Sequence, residues 1–196
     1  HKRILFNGNN YAPEWVAEAE KRGLLNLRTT PDALPYFVRQ ENIDLFTRHG
    51  VFSKTEMLSR YEILMENYAK ILHIEALTML DMAKKDILPA ALKSAADLAG
   101  AILEKEKAGL TAKTERALGA KISALADSLS AHIEALEAAA EAEEACAEAP
   151  EAAAFARDKI LPAMADLRAD ADALEMLVPK KDWPFPTYGD LLFSVQ

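Results

Sequence analysis

The chain has 196 residues, with 23 Lys+Arg against 31 Asp+Glu and a formal net charge of -8; its pI is about 5.1 and its mean hydropathy -0.08. This acidic field repels phosphate backbones and anionic lipid, so nucleic acid and membrane surfaces are poor partners. The 37 Ala account for much of the 51% hydrophobic content; seven Gly and nine Pro are too few for a strand-and-turn protein, and one Cys excludes an intramolecular disulfide framework or a Cys-cluster zinc site.

No apolar run approaches the roughly 18 to 20 residues of a membrane span, and the first residues lack a signal-peptide core, which points to a cytoplasmic location. The chain opens at His1 without Met and runs straight into Lys2-Arg3-Ile4-Leu5-Phe6, which reads as the interior of a longer polypeptide. Ile4 to Phe6, followed by the turn residues Asn7-Gly8-Asn9-Asn10, predicts a short strand or extended segment that needs a partner. A first short helix opens at Pro13 and closes at Gly23, with Trp15 expected against the N-terminal segment. Thr30-Pro31-Asp32 repeats the start signal, Pro35 interrupts it, and a helix from about Tyr36 to Arg48 ends at Gly50.

From Ser53 the pattern becomes strongly helical. Ser53-Lys54-Thr55-Glu56 has capping-box spacing. Met57, Tyr61, Leu64, Tyr68 and Ile71 form a four-three stripe, continued by Leu88, Leu92, Ala95, Ala99 and Ile102. Pro89 predicts a kink near Asp86 or a break. Gly109 ends this segment and Thr111 is placed to cap the next. A second stripe joins Leu118, Ile122, Leu125, Leu129, His132 and Leu136; a third, after Pro150, joins Ile160, Met164, Leu167, Ala171, Leu174 and Val178. Three stripes with short connections predict an all-α fold, an elongated antiparallel three-helix bundle with short helices and one N-terminal extended segment. The expected division is 1–52, an irregular region with short helices; 53–178, the bundle; and 179–196, a proline-aromatic tail. Seven Glu and no Lys or Arg lie between Glu134 and Glu151, and acidic residues oppose the helix dipole at a C-terminus, so that tip is expected to fray. Trp183, Phe185, Tyr188 and Phe193 would make an exposed apolar patch unless the tail docks on the body or on a neighbouring subunit.

Site chemistry is sparse. No phosphate-cradling glycine loop is present, and Asn7-Gly8-Asn9 reads as a turn. His1, His49, His73 and His132 have no metal-binding spacing, and His73 and Glu75 point to different helix faces. Glu141-Ala142-Glu143-Glu144 reads as a solvated face. Cys146 lacks a basic neighbour to activate its thiol, and Ser53 reads as a cap. Arg48-His49-Gly50-Val51-Phe52 is the most distinctive polar cluster, a helix end with an apolar anchor that could alternatively meet an anionic ligand. No catalytic, cofactor-binding or metal residue is assigned.

RHGVFSKTEM at 48–57, followed by Ser59-Arg60-Tyr61-Glu62, resembles the closing part of a glutamine synthetase catalytic domain. FNGNNYAPEWVAEAEKRGLLNLRTTPDALPYF, ENYAKILHIEALTMLDMAKKDILPA and WPFPTYGDLLF narrow the resemblance to the long, type III bacterial class. It implies a parent enzyme that activates glutamate as γ-glutamyl phosphate with ATP and Mg or Mn, then lets ammonia displace phosphate. It also implies a homo-oligomer, a dodecamer of two stacked hexamers, in which this region contacts the rest of its subunit and its neighbours. The family's metal-binding glutamates and phosphoryl-neutralising arginines lie before the FNGNN block, so the chain alone is expected to be inactive and to serve fold and assembly. The residues by themselves leave open a free-standing helical interaction protein or a regulatory ligand-binding bundle.

Overall fold

The computed structural model describes residues 4–193. It is all-helical, with no strand among the described residues, and divides into two compact units, residues 1–65 and 66–196.

In the first unit, α1 (Pro13–Lys21) uses Pro13 in its first turn, where the missing N–H leaves no helical bond unmade. The expected extended segment does not pair as a strand. Its Leu5 carbonyl accepts instead from the Arg22 guanidinium at 3.2 Å, and Phe6 packs against Trp15 with the rings tilted by 42° and their centroids 4.6 Å apart. Trp15 thus meets the N-terminal segment as its position suggested. Helix α2 (Thr30–Phe37) carries Pro35 inside it and is capped by Thr29, whose side chain accepts from the Asp32 amide. Its end is turned by Asn42, which donates to the Tyr36 carbonyl at 2.6 Å, and by Arg39, whose guanidinium lies 3.6 Å over the Tyr36 ring. The helix expected from Tyr36 therefore starts later, as α3 (Gln40–Arg48). Phe46 bridges Phe37 and Phe52, and Arg60 covers Phe52. Gly23, Gly50 and Gly109 take φ of 70°, 62° and 68°, the left-handed conformation that closes a helix.

Helix α4 (Lys54–Met82) begins at the anticipated capping box. Glu56 accepts from the Ser53 amide at 2.7 Å while the Ser53 hydroxyl accepts from the Glu56 amide at 3.2 Å. Its buried face is Met57, Met65, Ala69, Leu72, Ala76 and Leu80; Met57 lies on the expected stripe, but beyond it the face is offset, with Tyr61 and Tyr68 half-buried and Leu64 and Ile71 exposed. The expected continuation is displaced likewise. In α5 (Leu88–Lys107), Ala90, Ala91 and Ser94 are buried and Leu92 is exposed.

The expected kink at Pro89 takes a specific form. Residues Ala83–Ile87 make a π turn, in which the Leu88 amide reaches back five residues to the Ala83 carbonyl. Proline has no amide for the carbonyl four residues back and its ring clashes with it; a widened turn immediately ahead accommodates both. The sequence Ala-x-x-x-Ile-Leu-Pro-Ala occurs again at 156–163, and Ala156–Ile160 forms a second π turn at the same offset from Pro162. Both π turns bury their Ala and Ile and pack on α6 (Lys113–Glu143).

Helix α6 buries Ile122, Ala126, Leu129, Ile133, Leu136 and Ala140 at alternating four-three spacing; Ile122, Leu129 and Leu136 are on the expected stripe, whose Leu118, Leu125 and His132 are half-buried. Both α5 and α8 (Leu161–Glu175) pack on it. Thr111 does not cap it; Ala112 holds that position without a side-chain bond. Helix α7 (Ala149–Phe155) leads into the second π turn, and the third stripe through Leu167, Ala171, Leu174 and Val178 is buried. Trp183 and Phe185 pack against the same core, while α9 (Tyr188–Leu192) leaves Leu191, Leu192 and Phe193 exposed. Among the described residues no helix is long and apolar enough to cross a membrane.

Candidate functional site

Apart from His73 and Glu143, the polar residues singled out above do not converge. Arg48 and His49 sit at the exposed end of α3, with the His49 amide bonded to the Leu45 carbonyl, and Val51 is also exposed. Ser53 serves its helix cap. The Glu56 carboxyl is held below its usual range, first by the Ser53 amide and then by the Ser53 hydroxyl. His1 lies outside the described residues. Asn9 makes a local turn, its side chain accepting from the Tyr11 amide.

The other two histidines pin helices together. His132 Nδ1 lies 2.8 Å from Asp170 Oδ2, joining α6 to α8. His73 Nδ1 lies 2.8 Å from Glu143 Oε2, joining α4 to the end of α6. Glu143 is only 6% exposed and its Oε1 is buried without a partner. One member of the acidic run is thus interior, and the tip expected to fray is tied to α4. Sequence spacing gave no hint of this pair, because 70 residues separate its members. Cys146 follows one turn on. Burial, then the charges of Glu151 and Glu143, push its thiol above the ordinary cysteine range, away from nucleophilic use. Among the described residues no group of three or more His, Cys, Asp or Glu is gathered as a metal would need. The His73–Glu143 pair spends its facing atoms on each other, and this donor set does not fit a divalent ion.

The second unit contains a cavity of about 540 Å³ bounded by α4, α8 and the segment around Trp183. Met79, Met164, Leu167 and the rings of Trp183 and Phe185 supply apolar wall; Glu75, Arg168, Asp172 and Glu175 supply charge. The two rings meet edge-on, 6.2 Å between centroids at 76°. Asp182, 9% exposed, holds this segment through an ion pair with Lys93 on α5, and the Lys93 hydrogen bond lowers its carboxyl below the usual range. Sequence reasoning flagged the aromatic tail but not the cavity, whose walls come from positions 74 to 185.

Comparison with known proteins supplies the family. The family model "Glutamine synthetase C-terminal domain" matches residues 1–106, more than half of the chain. This chain belongs to the glutamine synthetase C-terminal domain family. A "Glutamine synthetase" of Butyrivibrio fibrisolvens is 43% identical over 198 positions, covering 100% of this chain and 28% of the relative. A "Type-3 glutamine synthetase" of Dictyostelium discoideum is 32% identical, covering 98% of this chain and 27% of the relative. A "Glutamine synthetase" of Bacteroides fragilis (strain YCH46) is 26% identical over 97% of this chain. The chain therefore spans little more than a quarter of the length of these relatives. The glutamine synthetase family model stops within α5, whereas the relatives align through α6 and beyond.

Proposed function

We propose that this chain is the C-terminal part of a long, type III glutamine synthetase, where it completes the fold and contributes to subunit assembly. The observation that carries the reading is alignment along essentially the whole chain with relatives of which it makes up only 27 to 28%. The parent protein would join glutamate and ammonia at the expense of ATP, through γ-glutamyl phosphate, with Mg or Mn holding the reactants. No step of that reaction is assigned to the residues of this chain.

Residues 1–52 would belong with the catalytic domain, 53–178 would form the class-specific helical region, and 179–196 would be its docking tail. Within the helical region the segments before Gly109, between Gly109 and Pro150, and after Pro150 would make an antiparallel three-helix bundle. The packing of α5 and α8 on α6 supports that arrangement. The parent would be a cytoplasmic homo-oligomer, a dodecamer of two stacked rings. The exposed Leu191, Leu192 and Phe193 are an apolar surface available for such assembly.

Two measurements test this reading. The purified 196-residue chain should give strong helical circular dichroism and no glutamine from glutamate, ammonia and MgATP; product above blank overturns the assignment of the chemistry to other residues. In the full-length enzyme, removal of the residues after Pro179 should weaken ring assembly, and rings that assemble unchanged would refute a docking role.

A further inference from the structure

We propose that the cavity between α4, α8 and the Trp183–Phe185 segment binds a small amphipathic cation, an aromatic or alkyl body carrying one ammonium group. Every lining residue belongs to the second unit, so the site is complete within it. Its volume, about 540 Å³, falls in the range of small-molecule pockets, roughly 300 to 1,000 Å³. The wall combines methionines, which adapt to irregular apolar shapes, with a fixed aromatic pair. An apolar body would find Met79, Met164 and Leu167 on the inner side.

The charges select among apolar ligands. Of the three carboxylates lining the cavity, Asp172 already accepts from Arg168 at 3.3 Å. Glu75 and Glu175 have no basic partner among the described residues, and both are exposed. The lining therefore carries three negative charges against one positive. An ammonium group gains from the Glu75 and Glu175 carboxylates, whereas a carboxylate of the same shape is repelled. The Lys93–Asp182 ion pair holds the aromatic wall in place before any ligand arrives. This proposal is independent of the assembly role, because it concerns the free chain.

The test uses the full 196-residue chain with Trp15→Phe, which leaves Trp183 as the single indole. Three probes of matched shape are titrated against its fluorescence: 4-phenylbutylammonium, 4-phenylbutan-1-ol and 4-phenylbutanoate. The ammonium probe should saturate at least tenfold more tightly than the alcohol, and the carboxylate should not saturate over the same range. In the Glu75→Gln/Glu175→Gln double variant the ammonium should fall to the affinity of the alcohol, with the alcohol unchanged. Thr78 lines the cavity from an exposed position on α4; Thr78→Phe should weaken ammonium binding at least tenfold without altering the thermal melt. Absence of saturable binding, equal affinity for all three probes, a charge preference surviving in the double variant, or binding indifferent to Thr78→Phe would each overturn the proposal.

Discussion

Adjacent residues on α4 provide a sharp test of its packing. Leu72 is 8% exposed and Ile71 is 56% exposed, yet the four-three stripe read from sequence runs through Ile71. Leu72→Ala removes about three buried carbons, worth roughly 2.4 kcal/mol at about 0.8 kcal/mol each. The incompletely filled space raises the loss to about 3 kcal/mol, within the usual range for such truncations. Ile71→Ala loses less than half of that transfer term, and alanine's better helix propensity returns a few tenths, leaving about 0.5 kcal/mol. Urea unfolding of the Trp15→Phe chain, followed by Trp183 fluorescence, reads the second unit, where Trp183 packs on the core. With a slope of about 2 kcal/mol/M, Leu72→Ala should lower the midpoint by about 1.5 M and Ile71→Ala by about 0.3 M, the slope itself unchanged. Equal losses, or a larger one for Ile71→Ala, would show that α4 presents the other face to the core.

Glu143→Ala should release the end of α6 from α4 and cost about 1 to 3 kcal/mol, since His73 loses its partner; hydrogen exchange of the amides near residues 139–146 should accelerate, and unchanged protection would refute the tie. The Asp190 carboxyl is held down to about 2, first by the Lys180 hydrogen bond and then by those from Thr187. Its contribution to the start of α9 is therefore complete above the ordinary carboxylate value near 3.8 and is lost as pH falls from there through about 2. Carbon-detected NMR titration should show that midpoint, and Thr187→Ala should move it upward. The Cys146 thiol, raised by burial and by Glu151 and Glu143, should react with iodoacetamide more slowly at pH 8 than a thiol in a short peptide, and Glu151→Gln should speed it.

What local chemistry encodes was legible. The capping box at Ser53 and Glu56 and the left-handed glycines at 23, 50 and 109 involve neighbours within a turn, so sequence spacing suffices to find them. The stripes of α6 and α8 were legible for a related reason: each helix carries one clear apolar face. Helix α4 carries apolar residues on more than one face, with Ile63, Ile71, Ile74 and Leu77 exposed beside the buried Leu72 and Leu80. Periodicity cannot choose between faces when both are greasy; only the neighbouring helices do.

The same distinction separates the candidate site from the family. Family membership was readable in blocks such as ENYAKILHIEALTMLDMAKKDILPA, because such a match needs residue order alone. Pro89 marked where one helix must deviate, but the form of that deviation, and its repeat ahead of Pro162, depend on burying Ala83 and Ala156 against α6. Sequence by itself thus determined helix content, most helix ends and the family. Tertiary structure alone decided which face of α4 is interior, that Glu143 is buried against His73, and that residues drawn from positions 74 to 185 line one open cavity. These are contacts between residues distant in the chain, and their energies depend on solvent exclusion that exists only once the helices have packed.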